Sequence, residues 1–350
     1  MKNTVDELND IRKRMQRKNM IVVAVTSAVL ILSIILALNI GSTKIPFTDV
    51  FGLLIGKGSQ TNVYLIQNTR LPRILCCILV GAALSVSGLA MQGLFRNPMA
   101  SPSVLGVSSG AAFGASLAMG FGMGVMFGSY AVPMMSFLFC FGTMVLVYML
   151  AKTSGGTSIT MLLLAGIAVG AFFNGMVSVV QYMVDESTLS GIVYWLMGSV
   201  ADCRWPEFRL ALLPVIIGII IIWFRSNELN LISLGEEQAE NLGVNVNQTR
   251  ILLLAGASLA VAGAVSISGI IGFVGLIIPH IFRMIVGPNH KILIPLSIIG
   301  GAAFLIIMDI VSRTIIAPIE LPIGILTALL GAPFFIYIMR TKRKFMMGAD

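Results

Sequence analysis

Ten apolar runs separate the polar parts of this chain of 350 residues, and they limit its possible folds more than any other feature. They fall at about 20–40, 71–95, 104–120, 130–151, 159–184, 208–224, 250–268, 270–286, 292–311 and 322–339. About 20 apolar residues are enough for a helix to cross a bilayer. Only 11% of the residues are charged, against about a quarter in soluble domains. The sequence therefore predicts an all-α polytopic membrane protein with about ten transmembrane helices. The third and eighth runs give the weakest signal, because the third is rich in Gly and Ser and the eighth holds Pro279, His280 and Arg283.

The distribution of Lys and Arg predicts the orientation of these helices. Basic residues are enriched in cytoplasmic loops. Both termini are basic, which favours the cytoplasm for both ends of the chain. Two cytoplasmic ends require an even number of spans. With the N-terminus inside, cytoplasmic segments hold sixteen Lys and Arg and outer segments hold seven. We therefore expect a cytoplasmic tail at 1–19, one transmembrane domain at 20–340 with a cytoplasmic loop at 225–250, and a cytoplasmic tail at 341–350. The first run lacks a small-residue cleavage site and is expected to stay as a span.

Several function classes find no support in the sequence. The net charge of +8 follows the membrane pattern, so it does not indicate nucleic-acid binding. The four cysteines show no metal-ligand spacing, and no metal or cofactor is expected. The motifs of P-loop ATPases, serine hydrolases and zinc proteases are missing. An intramembrane histidine can relay protons, but a hydrogen-bonded structural role is the expectation for His280.

The polar stretch 225–250 contains a short helix with readable ends. Ser233 and Glu236 have the spacing of a capping box, and Gly243 supplies a left-handed stop. Leu234, Ala239 and Leu242 can form one apolar edge. A helix of about two turns is marginal alone in water. The spacing leaves two interpretations open, a solvated loop helix or an element that docks on another protein.

Two eight-residue segments indicate an internal repeat. Residues 81–88 read GAALSVSG and residues 256–263 read GASLAVAG, and Arg-Ile-Leu occurs upstream of each, at 73–75 and 250–252. The predicted topology makes the two segments cross the membrane in opposite directions. Inverted repeats are typical of transporters, with the pathway between the halves. The many glycines, often at four-residue spacing, favour close helix contacts in lipid.

The charged residues near the ends of predicted spans indicate whether a transporter of this kind would be coupled to an ion gradient. Asp309 is the one carboxylate well inside an apolar run, and it can pair with Arg313 one turn later. A single paired carboxylate is weak support for coupling to an ion gradient. Arg70, Arg73 and Arg313 stand at the outer ends of predicted spans, where we expect their side chains to be exposed. They suit the capture of carboxylates on a docking protein or an anionic ligand, or they reach the interface as snorkelling side chains.

Five segments carry a resemblance to a known family: Arg70–Ala115, Tyr194–Ser199 (YWLMGS), Ser233–Val244 (SLGEEQAENLGV), Gly269–His290 and Asp309–Phe335. Together they resemble the permease subunits of the FecCD type, which belong to ATP-binding-cassette importers for iron–siderophores, haem and vitamin B12. The resemblance implies a pair of ten-span permeases, identical or paralogous, driven by two cytoplasmic ATPases. It also implies an extracytoplasmic binding protein that delivers a metal chelate.

The resemblance also implies roles for particular residues. Ser233, Leu234, Gly235, Glu236, Ala239, Leu242 and Gly243 lie in the segment similar to the helix that couples the permease to its ATPase. Arg70, Arg73 and Arg313 match positions that receive acidic residues of the binding protein. Asn97 and Met99 resemble the cytoplasmic gate, and the 151–158 turn resembles its other segment more loosely. The fifth run resembles a pathway-lining helix, on which Asn174, Ser178 and Gln181 share one face.

The resulting expectation is the permease of an ATP-driven importer for a metal chelate, with a ferric siderophore as the first candidate. Import of haem or cobalamin is the alternative within this class. An ion-coupled secondary carrier working alone is the alternative from another class, and a membrane-embedded enzyme has almost no residue support.

Overall fold

The computed structural model describes residues 2–41, 60–153 and 156–347, and they form an almost entirely helical protein. The helices are α1 (Lys2–Asn39), α2 (Gln60–Leu65), α3 (Leu71–Leu94), α4 (Val107–Gly120), α5 (Gly124–Phe127), α6 (Ala131–Ala151), α7 (Ile159–Met183), α8 (Glu186–Leu196), α9 (Trp205–Phe224), α10 (Ser226–Ile232), α11 (Glu236–Asn241), α12 (Val246–Ser268), α13 (Val274–Val286), α14 (His290–Thr314) and α15 (Ile323–Met347). A π-helical turn, Ile66–Arg70, joins α2 to α3, and 3₁₀ turns lie at Pro102–Leu105 and Gly128–Tyr130. Two-residue strands, β1 (Lys152–Thr153) and β2 (Gly156–Thr157), pair antiparallel.

The predicted all-α membrane architecture is confirmed. Seven helical stretches in the described part are long and apolar enough to cross a membrane, and they include α1, α3, α6, α7, α9, α12 and α14. The other three apolar runs form α4, α13 and α15, whose apolar part is Ile323–Tyr337. The third and eighth runs, which gave the weakest signal, form the shortest of the ten, with 14 residues in α4 and 13 in α13. Each covers only about 20 Å along its axis.

Helix α3 forms the centre of the bundle through backbone contacts at glycines. A Cβ on Gly81 would lie 2.2 Å from the carbonyl oxygen of Gly301 in α14. A Cβ on Gly88 would lie 2.0 Å from that of Gly275 in α13. Only glycine permits helices to approach this closely. The core of the described protein is therefore built around α3.

The two segments of the sequence repeat lie on α3 and α12, which contact each other where Ser87 Oγ donates to the Ala257 carbonyl at 3.2 Å. The two helices run in opposite directions. Helix α3 begins beside Asp309. Helix α12 begins beside Glu236, at the opposite end of the bundle. We call these the Asp309 end and the α11 end.

Candidate functional site

The polar stretch 225–250 forms two short helices, α10 and α11, fixed to the bundle by separate contacts. The expected capping box is wrong. Ser233 has helical backbone at the end of α10, so its hydroxyl donates back to the Leu229 carbonyl at 2.8 Å. Gly235, at φ 143°, precedes α11 instead. The Glu236 carboxylate accepts from Arg250 Nη2 at 2.6 Å, because a charge-assisted bond to a buried guanidinium is stronger than a cap.

The C-terminal end of α11 has the left-handed stop that the sequence predicted. Gly243 has φ 86°, and the N–H groups of Gly243 and Val244 donate to the Glu240 and Ala239 carbonyls at 2.9 and 3.0 Å. These bonds form a Schellman stop.

The three apolar residues of this segment do not form one edge. Ala239 is fully buried in a small cluster with Ile232 and Val246 of this chain. Leu234 and Leu242 are 69% and 64% exposed. Ala239 therefore fixes α11 to its own protein, whereas the two leucines remain available to a partner.

A hydrogen-bond network that the sequence did not reveal attaches α10 to the start of α14. Asn230 Oδ1 accepts from the backbone N–H of His290 at 2.8 Å and lies 2.8 Å from its Nδ1. Asn230 Nδ2 donates to Asn289 Oδ1 at 3.2 Å. A Cβ on Gly93 would lie 2.8 Å from both His290 Nε2 and Leu229 Cδ1, so the small size of glycine leaves room for these two side chains where α10 and α14 meet α3.

Replacing Asn230 by alanine is expected to lower the free energy of unfolding by about 1–3 kcal/mol, because buried groups of the α14 terminus lose their acceptor. Thermal unfolding of the purified protein in detergent measures the change. Asn241, exposed on α11, provides the control, and its replacement by alanine should change stability by less than about 0.5 kcal/mol. Equal effects of the two substitutions would contradict the network.

The predicted gate residues Asn97 and Met99 lie in the turn that follows α3. Asn97 Oδ1 accepts from the Met99 N–H at 2.9 Å, and Met99 borders a small cleft against α13 and α15. The Gln92 carbonyl accepts from the Asn97 N–H at 3.1 Å. The Gln92 side chain accepts from Arg283 Nη1 at 2.7 Å and donates to the Gly275 carbonyl at 3.0 Å. Gln92 therefore links this turn to α13.

The opposite end of the bundle carries a buried cluster around Asp309. Arg73 donates from Nε and Nη2 to Asp309 Oδ1 at 2.9 and 2.7 Å, and from Nη2 to Glu320 at 2.8 Å. Arg313 Nη2 lies 2.8 Å from Asp309 Oδ2, an ion pair outside hydrogen-bond angles. The predicted pairing of Asp309 with Arg313 is confirmed.

The interpretation of Arg70, Arg73 and Arg313 as exposed side chains is wrong, since each is no more than 6% exposed. Arg70 donates to the Leu38 carbonyl of α1. The side chains lie inward because Asp309, α1 and the half-buried Glu320 provide acceptors. The sequence placed these arginines at the ends of spans. It could not show that distant parts of the chain supply the groups that accept their hydrogen bonds.

The exposed face of α7 has the predicted polar residues. Asn174 and Ser178 are exposed and Gln181 is half-buried. The opposite face packs on the bundle, where the rings of Phe173 and Phe113 stack with centroids 5.5 Å apart. An amide facing hydrocarbon is costly, so this face requires water or another protein beside it. No charged residue occurs in α7.

The segment YWLMGS at the end of α8 joins three elements at the Asp309 end. Gly198 has φ 70°, and a Cβ there would lie 2.2 Å from the Ile270 carbonyl oxygen. The Gly198 carbonyl accepts from Gly324 at the start of α15 at 3.0 Å, and Ser199 N–H donates to the Ser268 carbonyl at 2.7 Å. At the start of α8, hydrogen bonds from Thr188 hold the pKa of Asp185 below its usual value.

Comparison with known proteins agrees with this architecture. A model of the FecCD transport family matches residues 29–341. The hemin transport system permease protein HmuU of Yersinia pestis is 38% identical over 90% of this chain and 95% of its own. The molybdate import system permease protein MolB of Haemophilus influenzae is 39% identical over 90% and 94%. A solved structure described as an inward-facing ABC transporter of metal-chelate type is 38% identical, with a TM-score of 0.82 over 91% of this chain and 98% of that one.

These findings do not favour an ion-coupled carrier, and Asp309, the carboxylate such a carrier would need, is engaged by two arginines. The fold, the match along most of the chain and the similar structure agree with one another. The chain belongs to the FecCD transport family and is a multi-pass membrane permease of an ABC importer, a transport component and not an enzyme.

Proposed function

We propose that this permease imports a metal chelate across the cytoplasmic membrane, with a ferric siderophore as its substrate. It acts with a second permease subunit, two cytoplasmic ATPases and an extracytoplasmic binding protein. The observation that carries the proposal is the exposed side of α7, which presents the polar residues Asn174, Ser178 and Gln181 and no charge, in a chain of this family. A chelate whose metal charge is enclosed by its ligand can pass such a face without a charged site that would retain it. Membrane lipid surrounds the rest of the bundle.

The α11 end is proposed to face the cytoplasm and to dock on the ATPase. Leu234 and Leu242 supply exposed apolar contacts, and the exposed carboxylates Glu237 and Glu240 provide a polar rim. Ser233, Gly235, Glu236, Ala239 and Gly243 act by building and fixing the helix. Both chain termini are proposed to lie on the same side, as the excess of basic residues there indicates.

The Asp309 end is proposed to receive the binding protein. Arg73 has a buried partner in Asp309 and a second partner in Glu320, whose side chain is 27% exposed. An acidic residue of the binding protein can compete with Glu320 for the outer edge of Arg73. Arg70 and Arg313 lie beside the same Gly41 and add positive charge there.

The gate is proposed at the turn containing Asn97 and Met99. Gln92 and Arg283 link this turn to α13. Asn230 attaches α10, in the docking segment, to α14. Both α13 and α14 pack against α3. A displacement of α10 by the ATPase would thus reach the gate through packed helices.

Uptake into proteoliposomes tests the proposed function. The permease, its ATPase and its binding protein are reconstituted together and offered ferric siderophore, haem, cobalamin or molybdate. We expect uptake of the siderophore that requires ATP inside and is absent when the ATPase is omitted. The similarity to HmuU makes haem the principal competitor. Preferred uptake of haem would overturn the siderophore assignment, and uptake driven by a proton or sodium gradient alone would overturn the importer mechanism.

A further inference from the structure

The segment between α4 and α6 presents large apolar side chains on the protein surface. Four of them are strongly exposed: Phe121 at 72%, Val125 at 94%, Met126 at 82% and Phe127 at 55%. The nearest charged residues along the chain are Arg96 and Lys152, so the segment itself carries no charge. Exposed apolar patches of this kind mark contact with a protein or a membrane.

The contacts of the flanking helices place this segment at the edge of the hydrocarbon. Helix α6 has 21 residues, about 31 Å, and spans the roughly 30 Å hydrocarbon thickness. A Cβ on Gly114 in α4 would lie 2.3 Å from the carbonyl oxygen of Met135, about one turn inside α6, and α4 ends less than two turns later at Gly120. The chain from Phe121 to Tyr130 therefore leaves α4 and enters α6 at the same edge of the hydrocarbon. Tyr130, 44% exposed, stands at the level where aromatic residues are enriched in membrane proteins.

The exposed surface continues without interruption onto the side of α6. Met134 and Leu138, one and two turns along the helix, are 46% and 58% exposed. They border an apolar groove of about 380 Å³ between α6 and α9 that also includes Leu210, Leu213 and Pro214. A groove along the first half of a membrane-spanning helix is open to acyl chains. Continuity with this groove favours lipid, and the lack of charge disfavours a protein that binds through acidic residues.

We propose that Phe121–Tyr130 is an interfacial segment whose Phe, Val and Met side chains insert among the acyl chains of the adjacent leaflet. The segment begins next to Gly120, where a Cβ would lie 2.9 Å from Val180 Cγ1 and 3.2 Å from Val184 Cγ1 at the end of α7. Lipid contact at this segment therefore lies directly beside the end of α7, the helix that carries Asn174, Ser178 and Gln181. The inference requires only that the chain is a membrane permease and is independent of the substrate.

Fluorescence quenching in reconstituted bilayers tests this placement. Val125→Cys in the full-length chain is labelled with a thiol-reactive NBD dye, since all four native cysteines are buried. Glu186→Cys, at the exposed start of α8 on the same end, is the matched control. Doxyl-labelled phospholipids should quench the dye at 125 at least about twofold more than at 186, and aqueous iodide should show the reverse order.

Met126→Cys provides a second label in case the first protein is poorly labelled, and it should behave as position 125 does. Iodide quenching at 125 and 126 equal to that at 186, with no response to doxyl lipid, would show that the segment faces water. Protection from both quenchers would show that a second copy of the chain or another protein covers it. Either result overturns the proposal.

Discussion

Replacing Leu234 and Leu242 together by aspartate is expected to reduce ATP-driven uptake at least about tenfold, because two carboxylates would have to enter an apolar contact on the ATPase. The free energy of unfolding of the isolated permease should change by less than about 0.5 kcal/mol, since both leucines are largely exposed. Uptake into proteoliposomes and binding of the purified ATPase measure the first effect. Thermal unfolding in detergent measures the second.

Gln248→Glu is the control for this experiment, because it adds negative charge to an exposed position at the same end without removing apolar surface. Its uptake should stay near that of the unmodified protein. Ala239→Arg is not an informative substitution here: Ala239 is fully buried against Ile232 and Val246, so a charge there would disrupt α11 itself. Normal uptake by the double aspartate variant would show that α11 does not couple the permease to the ATPase.

Asp309→Asn is expected to lower the free energy of unfolding by about 3–5 kcal/mol, because it leaves the guanidinium groups of Arg73 and Arg313 buried without their shared carboxylate. Asparagine preserves the size of the side chain, so the loss reports charge rather than packing. Thermal unfolding of the protein in detergent or nanodiscs measures the change.

Two further variants identify the cause of this loss. Glu320→Gln removes the outer partner of Arg73 and should cost less than about 1 kcal/mol, because that carboxylate is partly exposed. Adding Arg313→Met to Asp309→Asn should restore part of the stability, since one buried positive charge is removed. A double variant less stable than Asp309→Asn alone would contradict the electrostatic explanation.

The sequence predicted the spans well because hydrophobic length is a local property. Each of the ten apolar runs corresponds to a helix in the part of the chain that the structure describes, and the two weakest form the short helices α4 and α13. The sequence also predicted the left-handed stop at Gly243 and the polar face of α7. Each of these features depends on residues that are close together in the sequence.

The failures involve partners far away in sequence. Arg73 is buried because Asp309, 236 residues later, accepts its hydrogen bonds. Glu236 does not form the expected capping box, because its carboxylate accepts a hydrogen bond from Arg250 in the next helix. Asn230 gave no signal, since an asparagine in a polar stretch is ordinary. The spacing of glycines predicted close helix contacts, but it did not show that Gly81 faces Gly301.

The glycine contacts of α3 limit the ways in which this permease can change conformation. Where a backbone carbonyl lies against a glycine, no side-chain torsion is available to absorb a small shift between the helices. Sliding α3 past α13 or α14 would bring neighbouring Cβ atoms into the gaps at Gly81 and Gly88. These three helices should therefore rotate as a rigid body during transport. The relative motion must then occur at contacts between side chains, where rotamer changes can follow it.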